Sequence, residues 1–344
     1  MIVSHERLQR LSTSIFVAAG CCQEEAEQIG RCLVGANLVG HDSHGVIRIP
    51  IYIQWIEEEK VIPNRDLKTV LDSGCLAQVD GQLGFGQVMG RRTMELAIAK
   101  ATEHGVGVVG LRNSAHVGRV GDWAEMAIAA GKIGLCFVNT TGKGLLTAPF
   151  GGIDRRLSAN PFAAGIPVEG GSPIVLDISA SAIAEGKLKV AYNKGVNVPD
   201  GCIIDSEGHP TSDPKVFYAD PPGTILSFGG HKGFGLGMVT EILAGALTGS
   251  GCSKPGVDRL EQGMLTIVLD PERFTSADRF AQDVRQFVDF VKSSRTVDPN
   301  GEVLVPGEPE RRTRAHRLEH GIEIDPKTWD QLMETCAGLG VPVV

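Results

Sequence analysis

The segment Gly40-His-Asp-Ser-His-Gly-Val-Ile-Arg48 sets a hydroxyl beside an imidazole and puts a guanidinium four residues further on. An imidazole has an unperturbed pKa near neutrality, so His44 can take up and return a proton at working pH. Arg48 offers a planar fork that meets a carboxylate through two parallel hydrogen bonds, which the point charge of a lysine cannot do. Ser43 stands where it can orient the ring of His44. Together these types suit removal of a hydroxyl proton from a small carboxylic acid while a hydride leaves the same carbon. A Ser-His pair ahead of a helix also serves as a plain cap, so the motif alone leaves both readings open.

Other segments bear on the same chemistry. His116 lies in Asn113-Ser-Ala-His-Val-Gly-Arg119, after a strand and before a helix, where loops of α/β proteins carry their sites. Asp177 ends the apolar run Ile174–Ile178, and its carboxylate suits a ribose hydroxyl, a catalytic histidine or a helix cap. His231-Lys-Gly-Phe-Gly235 follows Gly229-Gly230 and opens a helix, so free N–H groups and Lys232 could meet a phosphate, or the turn could simply pack tightly. Gly105-Val-Gly-Val-Val-Gly110 matches G-x-G-x-x-G, but a helix comes before it, and the glycines alternate with valines as in a strand. A dinucleotide fingerprint needs a strand before the glycines and a helix starting within them. This match is a decoy. His316 and His320 stand four apart without the glutamate of H-E-x-x-H, and no metal site is expected.

The elements that must position these residues follow from apolar spacing. Ser4 caps a first helix that Gly20 stops, a second runs from about Glu24 to near Gly40, and a third begins at Pro50. A helix over 87–103 precedes a strand from Gly105 to Leu111, and a helix over 122–130 precedes a strand over 133–139. Between about 140 and 235, prolines and glycines break up short apolar runs, as in a mixed sheet. A helix over about 233–247, a strand over 265–270, an amphipathic helix through Phe280, Val284, Phe287, Val288 and Val291, and two closing helices complete the chain. Helical ends around a mixed α/β centre suggest a first domain built from both termini.

Composition excludes several classes. With 344 residues, 42% hydrophobic and a net charge of −8, the chain supports about two globular domains and no nucleic-acid groove. No stretch reaches the roughly 18 uncharged apolar residues of a membrane span, and no apolar signal region follows Met1. Eight cysteines without a C-x-x-C pair read as buried thiols in a reducing compartment, so the chain is expected in the cytoplasm.

Taken in order along the chain, several segments resemble the malate/L-lactate/L-sulfolactate dehydrogenase family, nearest its bacterial hydroxycarboxylate dehydrogenase branch. They are Gly40 to Arg48, Asn113 to Gly121, Ala148-Pro-Phe-Gly-Gly152, Asn160-Pro-Phe162, Asp177 to Ser181, His231 to Leu236 and Leu304-Val-Pro-Gly-Glu308. The resemblance implies an α/β, mixed-sheet, L-sulfolactate dehydrogenase-like fold that is not a Rossmann fold. Residues 1–120 and 285–344 would form a helical, catalytic and dimerisation domain, with 121–284 binding the nicotinamide. It further implies a homodimer and a nicotinamide cofactor, here expected to be NAD, with NADP the alternative.

By position, Ser43 and His44 would form a proton relay, Arg48 would hold the substrate carboxylate and His116 would sit beside the reacting centre. The acid/base role falls to His44 or His116, and His44 is favoured. Thr140, Asp177, Ile178, Ser179, His231, Lys232, Pro306 and Gly307 fall at cofactor-contact positions, and Asp177 would also support the relay. The activity implied is interconversion of a 2-hydroxy and a 2-oxo acid. A cyclic-imine carboxylate reductase is the alternative within the fold, and a catalytically idle nicotinamide binder the alternative of another class. One departure bears on substrate choice: Ser158-Ala159-Asn160-Pro161 stands where the family commonly has Gly-Thr-Asn-Pro.

Overall fold

A computed structural model describes residues 1–257 and 259–342. The chain opens with a short strand β1 (Ile2–Val3) and two helices, α1 (His5–Ala18) and α2 (Gln23–Leu38). Ser4 caps α1 as expected, its hydroxyl accepting from the Arg7 N–H at 3.3 Å. Two 3₁₀ turns over 42–48 then lead into α3 (Ile49–Glu57), with Pro50 in the first helical turn. A hairpin of β2 (Lys68–Ser73) and β3 (Leu76–Asp80), α4 (Gly86–His104), β4 (Val106–Ser114), α5 (Gly121–Ala129) and β5 (Ile133–Thr140) follow.

The second half holds β6 (Phe162–Ile166), β7 (Ile174–Ile178), α6 (Glu185–Lys194), the short strands β8 (Ile203–Ile204), β9 (Pro210–Thr211) and β10 (Thr224–Ile225), and α7 (His231–Glu241). A π-helical turn over Ile242–Ala246 extends α7 to where the sequence placed its end. Then come β11 (Gln262–Leu269), α8 (Ala277–Lys292), α9 (Glu308–His320), β12 (Ile322–Glu323) and α10 (Pro326–Gly338).

A seven-stranded sheet in the order β2-β3-β4-β11-β5-β6-β7 organises the molecule. Only β3 and β4 pair in parallel; every other neighbouring pair in this sheet is antiparallel. As a result β3, β4, β5 and β7 all run the same way, with antiparallel strands between them, and the carboxyl ends of β4, β5 and β7 share one edge. Sites of open α/β sheets gather outside such ends. The sheet draws strands from both sides of residue 120, and the termini meet where β1 pairs with β12.

Helices α4 and α5 cover the sheet, and the main core runs from Val3 to Val341 through Phe16, Tyr52, Met94, Trp123 and Met264. A smaller core of Leu188, Val198, Ile203, Phe217 and Ile225 supports α6 and the three-stranded sheet. The glycine run at 105–110 has a structural purpose. Gly105 ends α4 in the left-handed region (φ 84°), and a Cβ at Gly107 would stand 2.1 Å from the Ala97 carbonyl. These glycines let strand β4 lie close against α4, so the helix-then-strand order expected from the sequence is the one observed.

Candidate active site

The two 3₁₀ turns between α2 and α3 bring Ser43, His44 and Arg48 into one cluster. Asn37, buried on α2, fastens them from below: its side-chain oxygen accepts from the Val46 N–H (2.9 Å) and its amide donates to Asp42 (2.7 Å). Asp42 also takes a guanidinium from Arg317 on α9. From the other side the start of α6 closes on the turn, and a Cβ at Gly186 would lie 2.4 Å from that of Ser43. No bulkier residue fits there.

Within this frame the Ser43 hydroxyl meets His44 Nδ1 at 3.1 Å, and Arg48 donates from Nε to the Ser43 carbonyl at 2.6 Å. The other two nitrogens of the guanidinium have no partner among the described residues, so the end of the fork is open. Burial, and next to it the Arg48 charge, pushes the pKa of His44 down to about 3. His41 and Arg119 add to this.

His116 comes from the far side of the fold, on the loop after β4, and its ring stacks on that of His44 with centroids 5.5 Å apart and planes 20° apart. Its Nδ1 lies 2.6 Å from the hydroxyl of Tyr52 on α3, which in turn accepts from Gln87 Nε2 at 3.0 Å. Burial, then Arg48 and His44, hold His116 well below its ordinary value. Neither imidazole's Nε2 has a hydrogen-bond partner among the described residues. Two neutral rings and an open guanidinium therefore converge.

Asp177 stands beside this cluster and outside it. Its Oδ2 accepts from the Gly121 N–H at 2.9 Å and lies 3.6 Å from Arg119 Nε and 3.9 Å from His41 Nδ1. No hydrogen bond joins it to Ser43 or His44 among the described residues; its neighbours are His41 and Arg119, both of which act on His44 through their charge. Burial raises its pKa, against the Arg119 charge that lowers it.

The remaining singled-out positions lie at the ends of β7 and β5, in the segment before α9 that packs on β7, and at the start of α7. Val175 N–H donates to the Pro306 carbonyl at 3.1 Å, which sets Pro306 and Gly307 against the strand that carries Asp177 and Ile178. Just beyond, Ser179 leads to Ala180, whose N–H donates to the Ala159 carbonyl (2.7 Å) and whose carbonyl accepts from Phe228 N–H (3.0 Å), three residues before His231. His231 and Lys232 are exposed at the start of α7, behind Gly230 at φ 61°. Thr140 ends β5, where Gln262 donates to its hydroxyl at 2.7 Å and accepts the Val117 N–H at 2.7 Å. Among the described residues no group of three or more His, Cys, Asp or Glu could hold a metal ion, and no helix is long and apolar enough to cross a membrane.

Sequence reasoning missed Tyr52, Gln87 and Gln262. Each makes its contact across a large sequence separation, and none stands in a motif. Arg119 and His41 lie inside the motif segments, but their residue types alone signal no role.

Comparisons with known proteins assign the chain to a family. Residues 3–333 match the malate/L-lactate dehydrogenase family. The chain belongs to that family. It is 39% identical to hydroxycarboxylate dehydrogenase B of Escherichia coli K12 over 98% of this chain and 94% of that one. The solved sulfolactate dehydrogenase of Methanocaldococcus jannaschii superposes with a TM-score of 0.89 at 36% identity, covering 100% of this chain and 98% of its own. A Δ1-piperideine-2-carboxylate reductase from Pseudomonas syringae pvar. tomato gives a TM-score of 0.83 at 31% identity, over 97% and 99% of the two chains. The fold is thus the mixed-sheet one expected, and the member of this family described here is a dehydrogenase of 2-hydroxy acids that works with a nicotinamide.

Proposed function

We propose that this enzyme interconverts a small 2-hydroxy acid and its 2-oxo acid, with Arg48 on the substrate carboxylate and His44 exchanging the proton. What carries the reading is the open end of the Arg48 fork beside two imidazoles, each held by its Nδ1 and unpartnered at Nε2. When bound, the nicotinamide supplies the hydride in reduction and accepts it in oxidation. In oxidation His44, neutral at working pH, takes the hydroxyl proton, and Ser43 steadies the ring. Donors aimed at the substrate oxygen would stabilise its developing negative charge. Asp177 supports the relay through His41 and the charge of Arg119 rather than by direct contact.

The residues present fit a nicotinamide dinucleotide. Asp177, Ile178 and Ser179 at the end of β7 would meet it with Pro306, Gly307 and Thr140, while Lys232 and the N–H groups opening α7 suit its phosphates. In this reading residues 121–284 bind the cofactor, and residues 1–120 and 285–344 supply catalysis and dimerisation, with Pro306 and Gly307 reaching across. A homodimer is supported by apolar side chains left uncovered: Phe287 and Phe290 on α8 are 63% and 77% exposed, Val239 on α7 is 51% exposed, and α8 buries only Ala281. Eight free thiols support a reducing, cytoplasmic setting.

The test is absorbance at the nicotinamide band with a panel of 2-oxo acids and both NADH and NADPH, NADH being the cofactor favoured. Turnover of at least one acid is expected; none with either cofactor removes the proposal. Ala159, in place of the family threonine, favours one second reading, reduction of a cyclic imine carboxylate. A strong preference for oxo acids in the same assay rejects it.

A further inference from the structure

We propose that Tyr52 is a positioning residue that fixes His116 in the Nε2–H tautomer, so that His116 serves as a standing hydrogen-bond donor to the substrate oxygen and proton exchange is left to His44. This rests on the functional reading above and assigns distinct roles to its two histidines.

A phenol has a single proton and two lone pairs. Gln87 Nε2 already donates to the Tyr52 oxygen at 3.0 Å, so the phenol's own proton is free to point along the 2.6 Å contact to His116 Nδ1. That nitrogen then accepts, and the ring proton of the neutral imidazole sits on Nε2. Both Tyr52 and Gln87 are sealed from solvent, at 1% and 0% exposed, so water does not compete for these bonds.

Turning the Gln87 amide over would reverse the chain of donors. It would also bury an unpartnered NH2 group in place of the unpartnered Oε1 that the observed orientation leaves. Proteins bury orphan acceptors more readily than orphan N–H donors. The observed orientation is the less costly one.

His44 is held differently. Its Nδ1 faces the Ser43 hydroxyl, which can donate or accept by rotating, so the ring can carry its proton on either nitrogen. His116 has no such freedom. To act as a base it would need a bare Nε2, and to act as an acid while neutral it would have to become an imidazolate. A fixed donor can still stabilise charge on the substrate oxygen.

The experiment uses the full chain with 15N-labelled histidine and no ligand. Long-range 1H–15N correlations distinguish a protonated from a bare ring nitrogen, and His116→Asn identifies the His116 signals. Expected are a protonated Nε2 and a bare Nδ1 in the parent, and a mixture of tautomers in Tyr52→Phe. In the same variant kcat should fall up to about tenfold, the scale of one lost hydrogen bond, with KM for the nicotinamide unchanged. Gln87→Leu, which removes the amide donor without touching Tyr52, should also loosen the tautomer and covers the case in which Tyr52→Phe fails to fold. A proton on Nδ1 of the parent, or an unmoved tautomer in a folded Tyr52→Phe, overturns the proposal. Because the spectra need no substrate, a barren substrate panel would sink the functional reading and leave the tautomer result standing.

Discussion

His44 and His116 lie ring against ring, yet they are held by opposite means. His44 leans on its own neighbour in sequence, Ser43, and on a turn pinned by Asn37 and Gly186. His116 leans on Tyr52, 64 positions away, and through it on Gln87. The nearby partner is a hydroxyl that can turn; the distant one has its proton committed. Two imidazoles of similar burial, both beside Arg48, are thereby equipped for different work.

The contrast breaks most visibly at His44. His44→Ala should lower kcat on the preferred acid by about 10²–10⁴-fold, the range for losing a general acid–base group. Steady-state assays of parent and variant check this, and an unchanged kcat would transfer the proton role away from His44.

The same contrast explains what could be read in advance. That Ser43, His44 and Arg48 lie together was legible because one short turn carries all three. The Gly105–Gly110 decoy was legible too, since the helix before it and the valines within it contradict a phosphate loop. Tyr52 and Gln87 were not, because a contact made by packing α3 and α4 against the loop after β4 leaves no local pattern. The hairpin β2–β3 was missed for another reason: β2 is exposed along its whole length, so it shows no alternation of buried and open positions. Strand β6 hides behind the small residues of Phe162-Ala-Ala-Gly-Ile166, and α6 has a single fully buried residue, Leu188.

Arg48 is the neighbour that both rings share, and replacing it sharpens the comparison next. Arg48→Lys should lower kcat/KM by about 2–5 kcal/mol, since a point charge cannot replace a bidentate fork at a buried charged pair. An unaltered specificity constant would remove Arg48 from the substrate carboxylate.

The smallest effect expected is on stability. The pKa of His44 is depressed to about 3 in the fold, whereas the unfolded chain takes up a proton near the ordinary imidazole value of 6.5. Its contribution is therefore complete above pH 6.5 and is lost as pH falls toward 3. Asp122 and Asp177, raised by burial, pull in the opposite direction. The useful quantity is accordingly the difference between the parent and His44→Gln in urea unfolding at pH 7.5 and 5. The parent should lose about 1–2 kcal/mol more than the variant on acidification. Parallel losses in the two proteins would mean that His44 is protonated as easily in the fold as out of it.

Gln262 sits in register between Ser114 and Thr140, and its one amide is tied to the backbone after His116 at one end and to the Thr140 hydroxyl at the other. The gap between the loop proposed to face the acid and the strand end proposed to meet the cofactor is thus inherited from the rigid sheet. Loops on either side can diverge toward new acids, while the spacing of the His116 loop from the end of β5 stays ruled by a single strand.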